Sequence, residues 1–276
     1  MENNKQKIYF LGPIGSYSQI ALNNFQEKIL KDAEIEEVST IKKILDLVDE
    51  NENYFAVVPI ENSLEGIVRE TIDNLLNSKK SLKILSQTIV EINHCLLSKG
   101  QMKEIKHIVS HPQALAQCQN YISKNFNSDI ELIPSSSTSS SAKEVSNMDS
   151  SWASIANNYC ANLYNLNVLD SAINDNKNNN TRFILIGHKD LGLPCNRTSL
   201  AFSTKNEAGA LLKILEIFKK HDLNLIYLES RPSRKTLGEY IFFADIDRGE
   251  HMALDALREI SEKSDIFRIF GSYTVI

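Results

Sequence analysis

The stretch Tyr54–Asp73, YFAVVPIENSLEGIVRETID, places the tightest limit on what this chain can fold into. Phe55–Val58 is a short apolar run bounded by Pro59, the pattern of a buried strand that stops where the ladder donor is missing. Glu61, Asn62, Ser63 and Glu65 follow beside Gly66, and then apolar side chains recur at Ile67, Val68, Ile72, Leu75 and Leu76, with Thr71 on the same face. That spacing predicts a helix. A polar cluster between a strand and a helix is where open α/β sheets bind ligands, because backbone N–H groups and the helix dipole face a crevice there. Asn62 or Ser63 can serve as the helix cap, but a cap needs one short polar residue and here there are four.

Other segments repeat this strand–polar–helix arrangement. Ile8–Leu11 leads into Gly12-Pro13-Ile14-Gly15-Ser16-Tyr17-Ser18 and a helix carrying Ala21, Leu22, Phe25 and Ile29 on one face, with Ser16 or Ser18 as its cap. The turn lacks the glycine and lysine fingerprints of a nucleotide site. Ile35–Val38 predicts a strand and Ile41–Val48 a helix capped by Ser39 or Thr40, so repeated βα units make a mostly parallel sheet the economical arrangement. Leu82–Ser98 is long, extended and alternating, and it predicts a passage between two lobes; the single His94 within it reads as structural. His107–Ser110 predicts a strand, ending in Ser110-His111-Pro112-Gln113-Ala114-Leu115-Ala116-Gln117, where Gln113 and Gln117 share a helix face. Neighbouring Ser and His point apart and no G-x-S-x-G is present, which argues against a serine hydrolase. Ile130–Pro134 predicts a strand, and a helix begins within the serine-rich run Ser135–Ser141. Strand and helix follow over Trp152–Tyr164, then a strand over Val168–Ile173. Asn174–Asn180 reads from composition as a surface loop, and Thr181-Arg182-Phe183 opens the apolar strand Ile184–Gly187. Beyond a linker at His188–Asn196 the order becomes strand, helix, strand, strand, helix, strand, the ferredoxin-like split unit.

The 276 residues suffice for two ordinary domains, and 42% hydrophobic with 24% charged content describes a globular chain. A net charge of −5 offers no general attraction to nucleic acid or an anionic membrane. The opening MENNKQK lacks the apolar centre of a signal peptide, and no apolar run is long enough to span a bilayer, so a cytoplasmic location is expected. Cys95, Cys118, Cys160 and Cys195 are scattered, suggesting neither a zinc site nor a disulfide framework.

Four of these segments together resemble the prephenate dehydratase family. Pro59–Gly66, followed by Thr71-Ile72-Asp73, matches P-x-E-N-S-x-x-G. Gly12–Ser18 matches G-P-x-G-T-[FY]-[ST], with Ser16 standing where Thr is usual. Ser110–Gln117 matches S-H-P-Q-x-x-x-Q, and Asn179, Thr181, Arg182 and Phe183 match N-x-T-R-F. Gly209-Ala210-Leu211 and Glu229-Ser230-Arg231-Pro232 resemble the ligand segments of a phenylalanine-binding ACT domain. The resemblance, which covers nearly the whole chain, implies a monofunctional enzyme. It would have an α/β, two-lobed, periplasmic-binding-protein-like catalytic domain at 1–188 and an ACT regulatory domain at 197–276. The implied reaction is decarboxylating dehydration of prephenate to phenylpyruvate, inhibited by phenylalanine, without metal or cofactor, in a homodimer or homotetramer. Arogenate dehydratase and a non-catalytic amino-acid-binding regulator are the rivals. By the same resemblance Thr181, Asn62, Ser110 and Gln117 are catalytic, while Glu61, Ser63, Ser16, Ser137, Thr138, Arg182 and Phe183 contact substrate. Alternation on a strand should turn Arg182 away from Thr181. Ser136 stands where some members carry Glu, so no role of that acid transfers here.

Overall fold

The computed structural model describes residues 6–78, 82–232 and 239–276; the polar start, Met1–Lys5, lies outside them. The chain opens with β1 (Lys7–Leu11), α1 (Tyr17–Lys28), β2 (Glu34–Val38), α2 (Ile41–Glu50), β3 (Tyr54–Asn62), β4 (Gly66–Ile67), α3 (Arg69–Asn77) and β5 (Lys83–Glu91). It then builds a second lobe from β6 (Cys95–Ser98), β7 (His107–Ser110), α4 (Pro112–Gln117), α5 (Gln119–Asn125), β8 (Glu131–Pro134), α6 (Thr138–Val145), β9 (Trp152–Ala156), α7 (Asn158–Tyr164) and β10 (Asn167–Asp170). Strand β11 (Asn180–Gly187) returns to the first lobe. The last six elements are β12 (Arg197–Thr204), α8 (Ala210–Lys220), β13 (Leu225–Pro232), β14 (Tyr240–Ile246), α9 (Glu250–Glu262) and β15 (Phe267–Val275), the split βαββαβ order expected.

Short hydroxyl side chains set three of the helix starts. Ser16, Thr40 and Ser137 accept the backbone N–H of Gln19, Lys43 and Ser140, each cap worth about 1 kcal/mol. In the first lobe β2, β1 and β3 run parallel, and β11 lies antiparallel between β3 and β5. The second lobe has the strand order β10-β6-β9-β7-β8. The chain crosses between the lobes twice, outward after β5 and back between β10 and β11.

Two local expectations change. Strand β3 does not stop at Pro59 but continues to Asn62. Its pairing with β1 has ended at Val57, and the register with β11 shifts opposite Pro59, so the missing N–H falls where no regular ladder partner waits. The Asn-rich segment is exposed at 175–178 and at Asn180, as a surface loop should be, but its two anchoring side chains, Asn174 and Asn179, are buried at 4% and 1% exposure. It is the return crossing. The Asn174 side chain accepts His94 N at 2.7 Å and donates to Ile92 O at 2.9 Å, and Ile92 N donates to Asn179 O at 2.8 Å. The Asn174 side chain thus supplies partners to the backbone of the outward crossing, and one backbone bond ties the two crossings together.

The C-terminal unit joins the first lobe edge to edge. Thr274 and Val275 of β15 pair in parallel with Ser86 and Gln87 of β5, making one ten-stranded sheet that ends at β13 on one side and β2 on the other. The same apolar core holds Ala56, Val58, Ile184 and Ile186 from the lobe and Phe243, Phe270 and Tyr273 from the C-terminal unit.

Candidate active site

A cleft of about 400 Å³ lies between the lobes, at the ends of β1, β3, β7 and β8 and beside both crossings. Its wall combines the Leu11–Ser18 turn, Pro59, Asn62, His94, His111, Gln113 and Gln117 with Ser136, Ser137, Thr138, Asn179, Thr181 and Phe183. No lysine, arginine or carboxylate is among them. The N-termini of α1 and α6 open into the cleft through Ser16 and Ser137, so positive potential there comes from helix ends rather than from side-chain cations.

The polar groups form one ordered chain. Asn62 and Thr181 are direct cross-strand partners on β3 and β11, which puts both side chains on one face of the sheet. Asn62 Oδ1 accepts the backbone N–H groups of Leu64 and Glu65 at 2.9 and 3.0 Å, fixing which end of the amide is oxygen. Its Nδ2 therefore donates to Thr181 Oγ1 at 2.9 Å and to Asn179 Oδ1 at 2.8 Å. Asn179 Nδ2 then donates to Gln117 Oε1 at 3.1 Å, and His94 Nε2 lies 3.2 Å from the same oxygen. Thr181, 8% exposed, is an acceptor in this chain, and its own O–H has no acceptor among the described residues.

The lobes are fastened together at the Ile14–Gly15 turn. Gly15 has φ +88°, and its carbonyl accepts Asn157 Nδ2 at 2.8 Å, while Ser139 Oγ donates to the Ile14 carbonyl. A Cβ at Gly15 would stand 2.5 Å from Ser139 Oγ and 3.1 Å from Cys160 Sγ. Both the backbone angle and the close approach require glycine.

Residues 8–191, a span that takes in both lobes, match the prephenate dehydratase family model. The chain belongs to the prephenate dehydratase family. It is 40% identical to the prephenate dehydratase of Methanocaldococcus jannaschii, with 99% of each chain covered. The crystal structure of the Arthrobacter aurescens prephenate dehydratase in complex with L-Phe superposes with a TM-score of 0.85 at 32% identity, covering 97% of this chain and 90% of that one. A quorum-quenching acylase shares the fold at a TM-score of 0.84 and 24% identity over 98% of both chains.

Within this prephenate dehydratase family member, the expected site residues separate into two groups. Asn62, Gln117, Thr181, Ser16, Ser137, Thr138 and Phe183 line the cleft. Ser110 does not: it is fully buried and its hydroxyl donates to Ile155 O at 2.6 Å. Ser63 does not either, because its Oγ donates to Asn178 O and accepts Asn180 N, stapling the return crossing to the β3–β4 turn. Glu61 and Arg182 pair across β3 and β11 on the face opposite Asn62 and Thr181. There Arg182 Nη1 donates to the fully buried Asp245 at 2.6 Å, its Nε faces Glu61 at 3.2 Å, and its guanidinium lies 5.5 Å from the centre of the Tyr227 ring. Neither Asn62 nor Ser63 caps a helix, since α3 begins at Arg69, after the short strand β4, with Val68 at its N-cap.

In the C-terminal unit, Gly209 caps α8 at φ +80°, with Ala210 and Leu211 in the first turn. β12 and β13 both run antiparallel to β14, so the Gly209 turn and the Glu229–Pro232 strand end lie at the same end of the sheet. Arg231 is drawn to the first lobe, 2.8 Å from Asp73, with a further bond to Arg69 O at 3.2 Å. Sequence reasoning gave Asn179 no role beyond its motif and read His94 as structural; the offset between strand and return crossing that joins them to Gln117 leaves no local pattern.

Proposed function

We propose that this chain is a prephenate dehydratase. The observation that carries the reading is the Thr181 hydroxyl, which accepts from Asn62 and lines a cleft with no lysine or arginine among its described lining residues. In the reaction the ring carboxylate leaves as carbon dioxide, and its bonding electrons enter the ring. The ring C–O bond breaks, and the hydroxyl departs as water after taking a proton. Thr181 donates to that oxygen as negative charge grows on it, and the Asn62 N–H stabilises the charge left on Thr181. Gln117 Nε2 and the N-termini of α1 and α6 receive the substrate's carboxylates, each helix end contributing roughly 0.3–1 kcal/mol. With no carboxylate lining the cleft, none repels the dianion.

The same reading divides the chain into a catalytic part, 1–188, and an ACT regulatory part, 197–276, and places the enzyme in the cytoplasm. No described helix is long and apolar enough to cross a membrane. Phenylalanine is the effector, bound between the Gly209-Ala210-Leu211 turn and Glu229-Ser230 of β13, where a helix N-terminus meets an open strand edge; the family relative crystallised with L-Phe supports this ligand. A second copy completes that pocket. Leu228, opposite Ala244 on the helix-bearing face of the edge strand, and Ile226 at the strand's irregularity are 37% and 39% exposed, which favours a homodimer or homotetramer built across β13.

Purified protein incubated with prephenate should release phenylpyruvate, with arogenate run beside it as the competing substrate. Thr181→Val keeps the shape, removes the donor and should lower kcat by about 10²–10³-fold. Near-normal turnover in that variant overturns the assignment. Calorimetry should detect phenylalanine binding to the intact protein and its loss in Gly209→Val.

A further inference from the structure

We propose that His94 is a positioning residue for this reaction, its Nε2–H fixing the Gln117 amide so that Gln117 Nε2 is presented to substrate. The proposal deepens the reading of the cleft given above and rests on it. His94 is 3% exposed, sits on the outward crossing and lines the cleft. Each orientation in the chain of amides follows from the one before. Leu64 and Glu65 N–H groups fix Asn62, Asn62 fixes Asn179, and Asn179 Nδ2 identifies the Gln117 atom it meets as the oxygen. An amide oxygen 3.2 Å from His94 Nε2 requires that nitrogen to carry the hydrogen. The imidazole is thereby held as the Nε2–H tautomer, with Nδ1 facing the Tyr17 hydroxyl at 3.3 Å. Tyr17 has one hydrogen for both Nδ1 and Asn93 O, the latter 2.7 Å away, and its ring forms an edge contact with the imidazole. Burial lowers the His94 pKa, an effect opposed in part by the Gln117 bond.

Two donors therefore converge on Gln117 Oε1, and its Nε2 donates to no protein acceptor among the described residues. That nitrogen and the Thr181 hydroxyl are the two hydrogen-bond donors the chain leaves for a bound anion. With the His94 donor removed, Asn179 alone would hold the amide, and a flipped Gln117 would present its oxygen to a carboxylate.

Nitrogen-15 NMR of the histidine-labelled wild-type protein at neutral pH tests the geometry directly. The His94 ring should appear as the neutral Nε2–H tautomer; an Nδ1–H tautomer or an imidazolium overturns the proposal. In kinetics, His94→Leu should lower kcat/KM for prephenate by about tenfold, the scale of one lost hydrogen bond. His94→Gln, whose amide nitrogen reaches the position of Nε2, should recover to within about threefold, and His94→Leu should cost nothing further in a Gln117→Leu background. A ring that merely packs the wall predicts equal losses for Leu and Gln and additivity in the double variant, and either result overturns the proposal. If His94→Leu fails to fold, the tautomer measurement still decides. If the protein does not turn over prephenate at all, the proposed activity fails while the NMR result continues to judge the His94–Gln117 link.

Discussion

The Arg182–Asp245 pair joins the strand bearing Thr181 to the C-terminal sheet, and replacing Asp245 by Asn measures that joint. Asp245 is fully buried and accepts from Arg182 Nη1 at 2.6 Å and from Ser199 Oγ at 2.5 Å, with Tyr273 Oη 2.8 Å from the same serine oxygen. Asn keeps the volume and can still accept from Arg182, so the change removes charge with little loss of packing. Stripping one partner from a buried ion pair costs about 3–5 kcal/mol. Here Glu61 remains 3.2 Å from Arg182 Nε with 28% of its side chain exposed, a partly hydrated partner that holds the loss to the lower end, about 3 kcal/mol. For a chain of this size that lowers Tm by about 6–12 °C in scanning calorimetry. The double variant Arg182→Met, Asp245→Leu should recover most of the loss, since apolar residues of similar volume replace such pairs at about equal stability. A single-variant loss below about 1 kcal/mol, or a double variant no better than the single, would refute the reasoning.

Asn62→Asp should lower kcat about as far as Thr181→Val, because a carboxylate would accept the Thr181 hydrogen and turn it from the cleft; turnover within about threefold of wild type would contradict this. Gly15→Ala should raise KM for prephenate and lower Tm, since its Cβ drives the lobes apart at Ser139 and Cys160; unchanged kinetics and melting would show that the fastening yields freely. Burial pushes the Cys118 and Cys160 thiols up to about 12 and 11, so both hold almost no thiolate at pH 8. A thiol reagent at that pH should label Cys195 first and Cys118 and Cys160 only on unfolding, as mass spectrometry of the labelled peptides would reveal.

The sequence displayed its elements because periodicity is local. The strand–turn–helix starts at Ser16, Thr40 and Ser137 and the βαββαβ order at the C-terminus all follow from short-range patterns. Strand alternation already indicated that Arg182 and Thr181 point apart, and Glu61 and Asn62 divide by the same rule. Cleft-lining positions were legible where a motif lies on one strand end, as with Thr181 and Asn62. That Ser110 and Ser63 lie off the cleft was not legible, because which hydroxyls meet a backbone carbonyl depends on elements far away in sequence, Ile155 and Asn178 here. Asn174 of the return crossing was not legible because composition records polarity but not what it satisfies. Its partners are backbone groups of a crossing some 80 residues earlier, as the Asn174–His94 bond shows. Register between β15 and β5 likewise has no local signature.

That last pairing bears on how the molecule comes together. Strand β5 is flanked by β11 and β15, and Ser86 Oγ bonds the Thr274 carbonyl across 188 residues of sequence. All five strands of the second lobe, by contrast, come from one unbroken stretch, Cys95–Asp170. Closing a long loop is entropically costly, and contacts remote in sequence form slowly. The inserted lobe is thus expected to fold first, with hydrogen-exchange protection in β6, β7 and β9 preceding that in β5 during refolding. Until β11 and β15 arrive, β5 presents two bare edges to any other chain nearby, so this buried central strand of the finished enzyme is, for the nascent chain, its most exposed template for aggregation.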